Sequence, residues 1–422
     1  MTTAPPRPAA APPHPAQRRI LAVLVAAQIL SGAGLAAGVT VGALLAQDML
    51  GGTGLAGLPS ALFTAGAAAT AIAVGRLSER AGRRAGLAAG YAVGALGALG
   101  VVAAAAWDQP VPLFAALFVY GAGSATNLQA RYAGADLADP ARRGRAVSTV
   151  LVATTVGAVI GPNLVLPLGH LADALGIPRL AGPFLLAAVA YAAAGAVLGT
   201  LLRPDPLTTA RALAADRVAA PDHVADDTEP PGARGLLLLG TLIMVLTQLV
   251  MVAVMTMTPV HMEHHGHSAG AAGVVIAVHV GAMYLPSPLS GMLVDRFGPL
   301  RVAALAGVTM LAAGLLAGLS PARSVPLLAL ALALLGLGWS FGLVAGTALV
   351  TDTVRFAARA RTQGMVDVAI AVAGVGGGLA SGVVMMSTSY TVLAVGGGLI
   401  SLALLPAIAA TARHRENGVP AR

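Results

Sequence analysis

The stretch Gly75-Arg-Leu-Ser-Glu-Arg-Ala-Gly82 indicates the fold, because a related stretch occurs again at Gly291-Met-Leu-Val-Asp-Arg-Phe-Gly298. The offset between the two is 216 residues, from position 75 to position 291. Three charged residues repeat with the same offset, since Asp136, Arg143 and Arg145 correspond to Asp352, Arg359 and Arg361. Two separate motifs that share one offset predict a duplicated unit.

Each copy of the motif follows an apolar block long enough to cross a membrane. The chain is 57% hydrophobic and only 10% charged, whereas soluble domains carry about 25% charged residues. A helix of ~20 apolar residues crosses a hydrocarbon core of ~30 Å, so we predict an all-α membrane protein with twelve transmembrane helices. The predicted spans are 20–47, 55–75, 85–106, 111–131, 147–169, 180–202, 235–260, 269–291, 299–318, 325–350, 363–385 and 389–411.

The arginines predict the orientation. All 25 basic residues are arginine, and with a cytoplasmic N-terminus 22 of them lie in cytoplasmic segments. Only Arg179 and Arg323 lie outside, and Arg131 lies near a helix end. This distribution follows the positive-inside rule, so we expect both termini to lie in the cytoplasm. The predicted location is the plasma membrane of a bacterium, which the chain crosses several times. Because the arginines are explained by topology, we expect no nucleic-acid partner. The chain has no cysteine, which excludes disulfides and thiolate metal sites.

Two six-helix halves joined by a linker are predicted. Residues 203–234 carry six of the 17 acidic residues and five prolines, without an apolar run of spanning length. Pro-rich polar segments of this kind connect folded units. The predicted organisation is a disordered tail at 1–19, an N-terminal half at 20–202, a cytoplasmic linker at 203–234, a C-terminal half at 235–411 and a tail at 412–422.

The repeated pattern G-x-L-x-D/E-R-x-G resembles the signature loop of the major facilitator superfamily of secondary transporters. The resemblance implies two pseudo-symmetric halves that rock about a central site, with the loops gating the cytoplasmic side. Glu79 stands where the usual residue is Asp, and Pro299-Leu300 interrupts the basic run that usually follows the second copy. The alternative is that these loops only determine topology. The implied gating residues are Gly75, Glu79, Arg80, Gly82, Asp136, Arg145, Gly291, Asp295, Arg296 and Gly298.

Methionine and histidine concentrate in one region. The chain has 13 Met and 9 His, and 11 of these 22 lie between Met244 and Met283. The seventh span carries Met251-x-x-x-Met255, and the eighth carries His279-x-x-x-Met283. Residues four apart on a helix face the same way, with Cβ atoms ~5–6 Å apart. Thioethers with an imidazole are ligands that favour copper(I). Ordinary packing of methionines is the alternative.

The loop after the seventh span adds five further soft or imidazole ligands. We predict that this outer segment collects a metal ion and passes it inward, which favours uptake; a solvated polar loop is the alternative. The predicted entry residues are His261, Met262, His264, His265 and His267.

The paired motifs on consecutive spans also resemble those of the CcoA-type copper importers, a branch of the same superfamily. The matching residues are Met251, Met255, His279 and Met283. This resemblance implies copper(I) as the substrate, no permanently bound cofactor, and a copper chaperone or cytochrome oxidase assembly proteins as partners. The same branch includes carriers of a flavin vitamin, so membership alone does not select copper.

Three other features bear on the mechanism. Asp367 is the clearest intramembrane carboxylate for proton coupling. Arg131 either contacts an organic solute, together with Tyr132, or pairs with Asp136, and we favour the pairing. Gly157-x-x-x-Gly161-Pro162 resembles a motif of antiporters in the superfamily and taken literally favours export. Close helix packing with a kink is the alternative.

The leading hypothesis is a copper(I) importer that works by alternating access, as a monomer in contact with membrane lipid and without an enzymatic step. The alternative is an organic-solute transporter, either a proton-coupled drug exporter or a flavin-like vitamin importer. A further alternative is a membrane-embedded copper sensor or assembly factor.

Overall fold

A computed structural model describes residues 14–50, 58–218, 233–321 and 323–417, and these residues form helices without any strand. The tails at 1–13 and 418–422 and residues 219–232 of the predicted linker lie outside the described residues. Fifteen α-helices are present in the described part: α1 Gln17–Leu50, α2 Leu58–Ala106, α3 Pro110–Ala135, α4 Arg143–Asn163, α5 Val165–Ala174, α6 Gly182–Leu201, α7 Pro206–Val218, α8 Ala233–His264, α9 Ala269–Tyr284, α10 Ser287–Phe297, α11 Pro299–Leu319, α12 Val325–Thr353, α13 Arg359–Ser387, α14 Tyr390–Ser401 and α15 Leu404–Asn417.

Three of the predicted spans are each divided into two helices. The fifth span corresponds to α4 and α5, the eighth to α9 and α10, and the twelfth to α14 and α15. Prolines lie at or near each break, at Pro162, Pro286 and Pro406. Proline lacks the backbone N–H and its ring clashes with the preceding turn, so it bends or interrupts a helix.

The two signature glycines adopt the same unusual backbone. Gly82 has φ 89° and ψ 167° inside α2, and Gly298 has φ 86° and ψ 156° between α10 and α11. Glycine populates positive φ freely because it has no Cβ, so the chain reverses at both positions. The second and third predicted spans are therefore the two arms of α2. Gly82 and Gly298 lie 216 residues apart, so the repeat seen in the sequence is also present in the backbone conformation.

Ten segments of the described residues are long and apolar enough to cross a membrane. One of them, Ala61–Ala106, has 46 residues and turns at Gly82, so it supplies two crossings. The predicted fifth span is not among the ten. The protein is thus a multi-pass integral membrane protein with an all-helical fold.

The buried apolar residues form two clusters, one mainly from α1–α7 and the other mainly from α8–α15. The two sets of helices meet closely where α2 packs on α13 and where α4 packs on α10. A Cβ added to Gly364 of α13 would lie 2.6 Å from the carbonyl oxygen of Ala71, and one added to Gly144 of α4 would lie 2.6 Å from that of Gly291. Glycines therefore permit a backbone approach that larger residues would prevent.

Candidate functional site

The end of the bundle that carries the two signature loops, here called the motif end, is closed by contacts between the halves. Asp295 accepts hydrogen bonds from the backbone N–H groups of Gly144 (2.7 Å) and Arg145 (3.1 Å), at the start of α4. Glu79 accepts one from the backbone N–H of Arg361 (3.1 Å), at the start of α13. Carboxylates stabilise helix N-termini, whose first N–H groups have no partner within the helix. Each signature acid thus caps a helix of the opposite half.

A buried ion pair lies just inside these caps. Arg83 is completely buried, and its Nε lies 2.8 Å from Oδ2 of Asp136. Its Nη2 also donates to the side-chain oxygen of Gln363 on α13. Arg359, at the start of α13, approaches the same Asp136 with Nη1 at 3.9 Å from Oδ1. Asp136 therefore joins both halves at the motif end.

Helix α7 forms hydrogen bonds with both halves at the motif end. Arg211 donates from Nη1 to the carbonyl of Glu79 and from Nε to that of Phe356 (3.0 Å), which belong to different halves. Asp205 caps α7 through the N–H groups of Leu207 and Thr208 and accepts from the N–H of Arg84 (2.7 Å). The sequence predicted only a linker here, because α7 has 13 residues, too few to cross a membrane, and its contacts with Glu79 and Phe356 are distant in sequence.

A cavity of about 600 Å³ lies between the halves. Its wall includes Ala61 of α2, Thr256 of α8 and Leu379 of α13, which are exposed at the end away from the motif loops. At 1.5 Å per helical residue, Leu379 is about 30 Å above the start of α13. The wall includes aromatic, amide, thioether and carboxylate side chains: Phe63, Tyr284, Trp339, Asn127, Gln248, Met251, Met283 and Asp367.

Arg131 and Asp367 form a second buried ion pair, which lies beside this cavity. Nη2 of Arg131 lies 2.7 Å from Oδ1 of Asp367, and Tyr132 donates to the same oxygen at 3.3 Å. Nε of Arg131 donates to Thr347 (3.0 Å), which is its own counterpart in the repeat. Oδ2 of Asp367 is buried without a hydrogen-bond partner among the described residues.

The predicted pairing of Arg131 with Asp136 is wrong. Asp136 pairs with Arg83 and Arg131 pairs with Asp367. The physical reason is the helical repeat, because residues three or four apart share a face whereas residues five apart do not. Arg131 is therefore directed toward α12 and α13, and Asp136 toward the motif end.

In the aromatic part of the cavity wall, Trp339 orients the side-chain amide of Gln248. Nε1 of Trp339 donates to Oε1 of Gln248 at 2.7 Å, and Trp339 packs edge-on against Tyr284 with ring centroids 5.7 Å apart. On the opposite half, Asn127 donates from Nδ2 to Ser31 (2.7 Å) and lines the same cavity. The cavity thus combines flat apolar surfaces with a few polar groups, which is the usual composition of small-molecule sites.

The four predicted copper ligands do not all face this cavity. Met251 and Met283 line it, whereas Met255 and His279 do not appear in its wall. His279 is completely buried, and its Nδ1 lies 2.8 Å from the carbonyl of Leu332 on α12. Because a carbonyl only accepts, Nδ1 carries the proton and Nε2 is left without a partner in the described part of the chain.

The predicted metal-entry segment is partly helical, since α8 continues to His264. His261 stacks on Tyr390 of α14 (centroids 4.2 Å) and lies against His265 (4.4 Å), while Met262 is completely buried. Among the residues that the structure describes, no group of three or more His, Asp or Glu side chains is arranged to hold a metal. Metal capture by this segment stays a prediction.

The comparison with protein families decides the class of this protein. The model of the Major Facilitator Superfamily matches residues 24–282 and 237–422. The chain belongs to the major facilitator superfamily. The superfamily consists of membrane transporters, which agrees with the expected lack of an enzymatic step.

Two relatives of this transporter are informative. The uncharacterized MFS-type transporter YdeG of Bacillus subtilis is 54% identical over 393 residues, which cover 93% of this chain and 91% of YdeG. The riboflavin transporter RfnT of Brucella anthropi is 33% identical over 358 residues, which cover 83% of this chain and 85% of RfnT. The human organic anion transporter MFSD10 has a similar fold, with a TM-score of 0.72, 17% identity and coverage of 94% of this chain and 100% of MFSD10.

The aromatic and amide residues of the cavity in this transporter could not be predicted from the sequence. Gln248, Tyr284 and Trp339 come from three different helices and form no local pattern. The sequence does place these residues within predicted transmembrane spans, where polar and aromatic side chains usually face the interior of the bundle. A position within a span does not predict which of these side chains are in contact.

Proposed function

We propose that the protein is a secondary transporter of an organic solute of the flavin class, which binds in the cavity between the halves. The observation that carries this proposal is the cavity itself, with a volume of about 600 Å³ and walls that include Phe63, Tyr284 and Trp339. Small organic ligands occupy pockets of ~300–1,000 Å³ with aromatic walls and a few polar groups. A flat heteroaromatic ring matches this combination, and the riboflavin transporter among the relatives supports the same class.

The proposed conformation is outward-facing. The motif end is closed by the Asp295 and Glu79 caps, while the cavity wall reaches exposed residues at the other end. If the arginine distribution places the motif end in the cytoplasm, the solute enters from outside. Uptake then requires the caps to separate as the halves rock, so the predicted gating residues act at this step.

Asp367 is the proposed coupling carboxylate. Its Oδ1 binds Arg131 of the opposite half, and its Oδ2 is buried without a partner in the described residues. Protonation of the carboxyl would weaken its attraction to the arginine and loosen a link between the halves. A proton that binds from outside and leaves inside would thereby drive the solute in the same direction.

The test is riboflavin uptake by riboflavin-auxotrophic bacteria that lack their own importer. Expression of the native protein is expected to restore growth at low riboflavin and to raise uptake of labelled riboflavin several-fold above cells with an empty vector. Uptake equal to the empty vector would reject import. Faster loss of riboflavin from preloaded cells would instead support the exporter alternative.

Copper(I) import is the second candidate, because Met251 and Met283 share the wall of the same cavity. Substitution of both by leucine removes the sulfur atoms and nearly conserves volume, which costs less than about 1.5 kcal/mol per site in packed cores. A copper importer would lose copper uptake in this double variant. The flavin proposal expects riboflavin uptake to persist, and no copper uptake by the native protein. The sensor alternative expects copper binding without uptake.

A further inference from the structure

The amide of Gln248 has only one chemically consistent orientation. The indole N–H of Trp339 is a donor without any accepting capacity, so the atom that it contacts at 2.7 Å is the amide oxygen of Gln248. The usual ambiguity between the oxygen and nitrogen of a side-chain amide is therefore removed at this position. The Nε2 group must then be directed away from the indole.

The Nε2 group of Gln248 is available to a ligand. A Cβ built on Gly374 of α13 would lie 3.3 Å from it, so the group lies beside a residue without a side chain. Gln248 and Gly374 both line the cavity. In the described part of the protein, no acceptor takes a hydrogen bond from Nε2, and this nitrogen is not among the buried unsatisfied atoms. It therefore offers N–H donors at the cavity surface.

We propose that Gln248 recognises a carbonyl oxygen on the ring of the transported solute and that Trp339 is the positioning residue that fixes the direction of the amide. Since the donors face the cavity and the oxygen is occupied, this wall selects acceptors and disfavours ring edges that present only N–H groups. The substrate class is a flat heterocycle with a ring carbonyl. This inference rests on the proposed function and adds the group by which the solute is recognised.

The supporting surfaces fit such a ring. Trp339 is nearly buried, at 5% exposure, and is held edge-on by Tyr284. A rigid indole limits the motion of the amide, so the donors are oriented before the solute binds. Pre-oriented groups gain affinity because less freedom is lost on binding.

The experiment compares riboflavin with 2-thioriboflavin and 4-thioriboflavin, in which one ring carbonyl oxygen is replaced by the weakly accepting sulfur. Dissociation constants are measured by calorimetry on the purified full chain in lipid nanodiscs. The native protein is expected to prefer riboflavin to one of the thio analogues by about tenfold, the value of one good hydrogen bond. Gln248→Met removes the donors and Trp339→Phe frees the amide, and both are expected to reduce that preference to within about twofold.

Val252→Ala is the matched control, because Val252 lines the cavity without a hydrogen-bonding side chain. It is expected to weaken riboflavin and the thio analogues equally and so to keep the preference. A purely structural role of Trp339 would lower all affinities but leave the ratio unchanged, and this outcome overturns the inference. Riboflavin binding by the native protein without preference over either analogue overturns it as well. Absence of riboflavin binding overturns the proposed function and this inference together.

Discussion

At the residue scale, two buried arginines form the ion pairs on which the predicted effects of substitution depend. Arg83 and Arg131 are both completely buried, and each pairs with an aspartate, at 2.8 Å and 2.7 Å. Isolated charges are costly to bury, so such pairs persist where they link parts of a structure or serve a function. The Arg83 pair lies within the closed motif end, whereas the Arg131 pair lies beside the cavity.

Asp367→Asn tests the coupling role. The amide resembles the protonated carboxyl but cannot release a proton, so accumulation of riboflavin against its gradient is expected to be lost. Exchange of internal for external riboflavin is expected to continue, because exchange needs no net proton movement. The control is Asp173→Asn, which removes an exposed ion pair with Arg179. Uphill accumulation that survives Asp367→Asn in proteoliposomes with an imposed pH gradient would exclude Asp367 as the coupling group.

Asp136→Asn tests the structural pair. The substitution leaves Arg83 buried without a counter-charge, which costs about 3–5 kcal/mol of unfolding free energy. The exposed pair of Asp173 is worth at most about 1 kcal/mol. We expect a large fall in the thermal unfolding midpoint in detergent for Asp136→Asn and a small one for Asp173→Asn. Equal midpoints for the two variants would contradict the assigned role.

At the scale of elements, α2 and α13 approach each other closely at the motif end, and we expect this contact to stabilise the closed state. A side chain at Gly364 would meet the backbone of Ala71, whereas a side chain at Gly376 of the same helix meets nothing within 4 Å. Gly364→Leu is therefore expected to hold the motif end open, and Gly376→Leu is the matched control. The chain contains no cysteine, so spin labels at the exposed positions Arg76→Cys and Arg355→Cys report the distance between the halves. An unchanged distance in Gly364→Leu would contradict this account.

Helix α7 is expected to stabilise the same closed state. Arg211→Ala removes hydrogen bonds to carbonyls of both halves, so the same pair of labels should show a larger population at long distance. Arg84→Ala is the control, since its backbone N–H rather than its side chain binds Asp205. If both variants give the native distance distribution, α7 connects the two halves without stabilising the closed state.

The sequence was sufficient for the elements but not for their contacts. Apolar spans and the repeated motif predicted an all-helical membrane fold, because length and hydropathy determine which segments cross a bilayer. The turns at Gly82 and Gly298 follow from the same repeat. The pair of Arg131 and Asp367 joins residues 236 positions apart, and no local spacing indicates such a contact. The methionines and histidines form a local pattern that is visible in the sequence, whereas the residues that meet in the cavity do not.

At the scale of the whole molecule, residues of both halves line one cavity. The motif end is closed by residues of both repeats, and the cavity holds aromatic and amide groups that the repeat does not duplicate. Trp339 and Gln248 correspond to Gly123 and Gly32 in the first half. In the proposed function, the two duplicated halves rock against each other, and cavity residues that differ between the halves select the solute.

The most direct measurement of the central claim is transport by the purified protein in proteoliposomes with an imposed pH gradient. Labelled riboflavin and copper(I) are offered in separate assays, with protein-free liposomes as the blank. Riboflavin is expected to accumulate inside the proteoliposomes and to lose this accumulation when the gradient is removed, whereas copper entry is expected to equal the blank. Copper accumulation without riboflavin transport would exclude the flavin proposal and favour the methionine motifs as the substrate site.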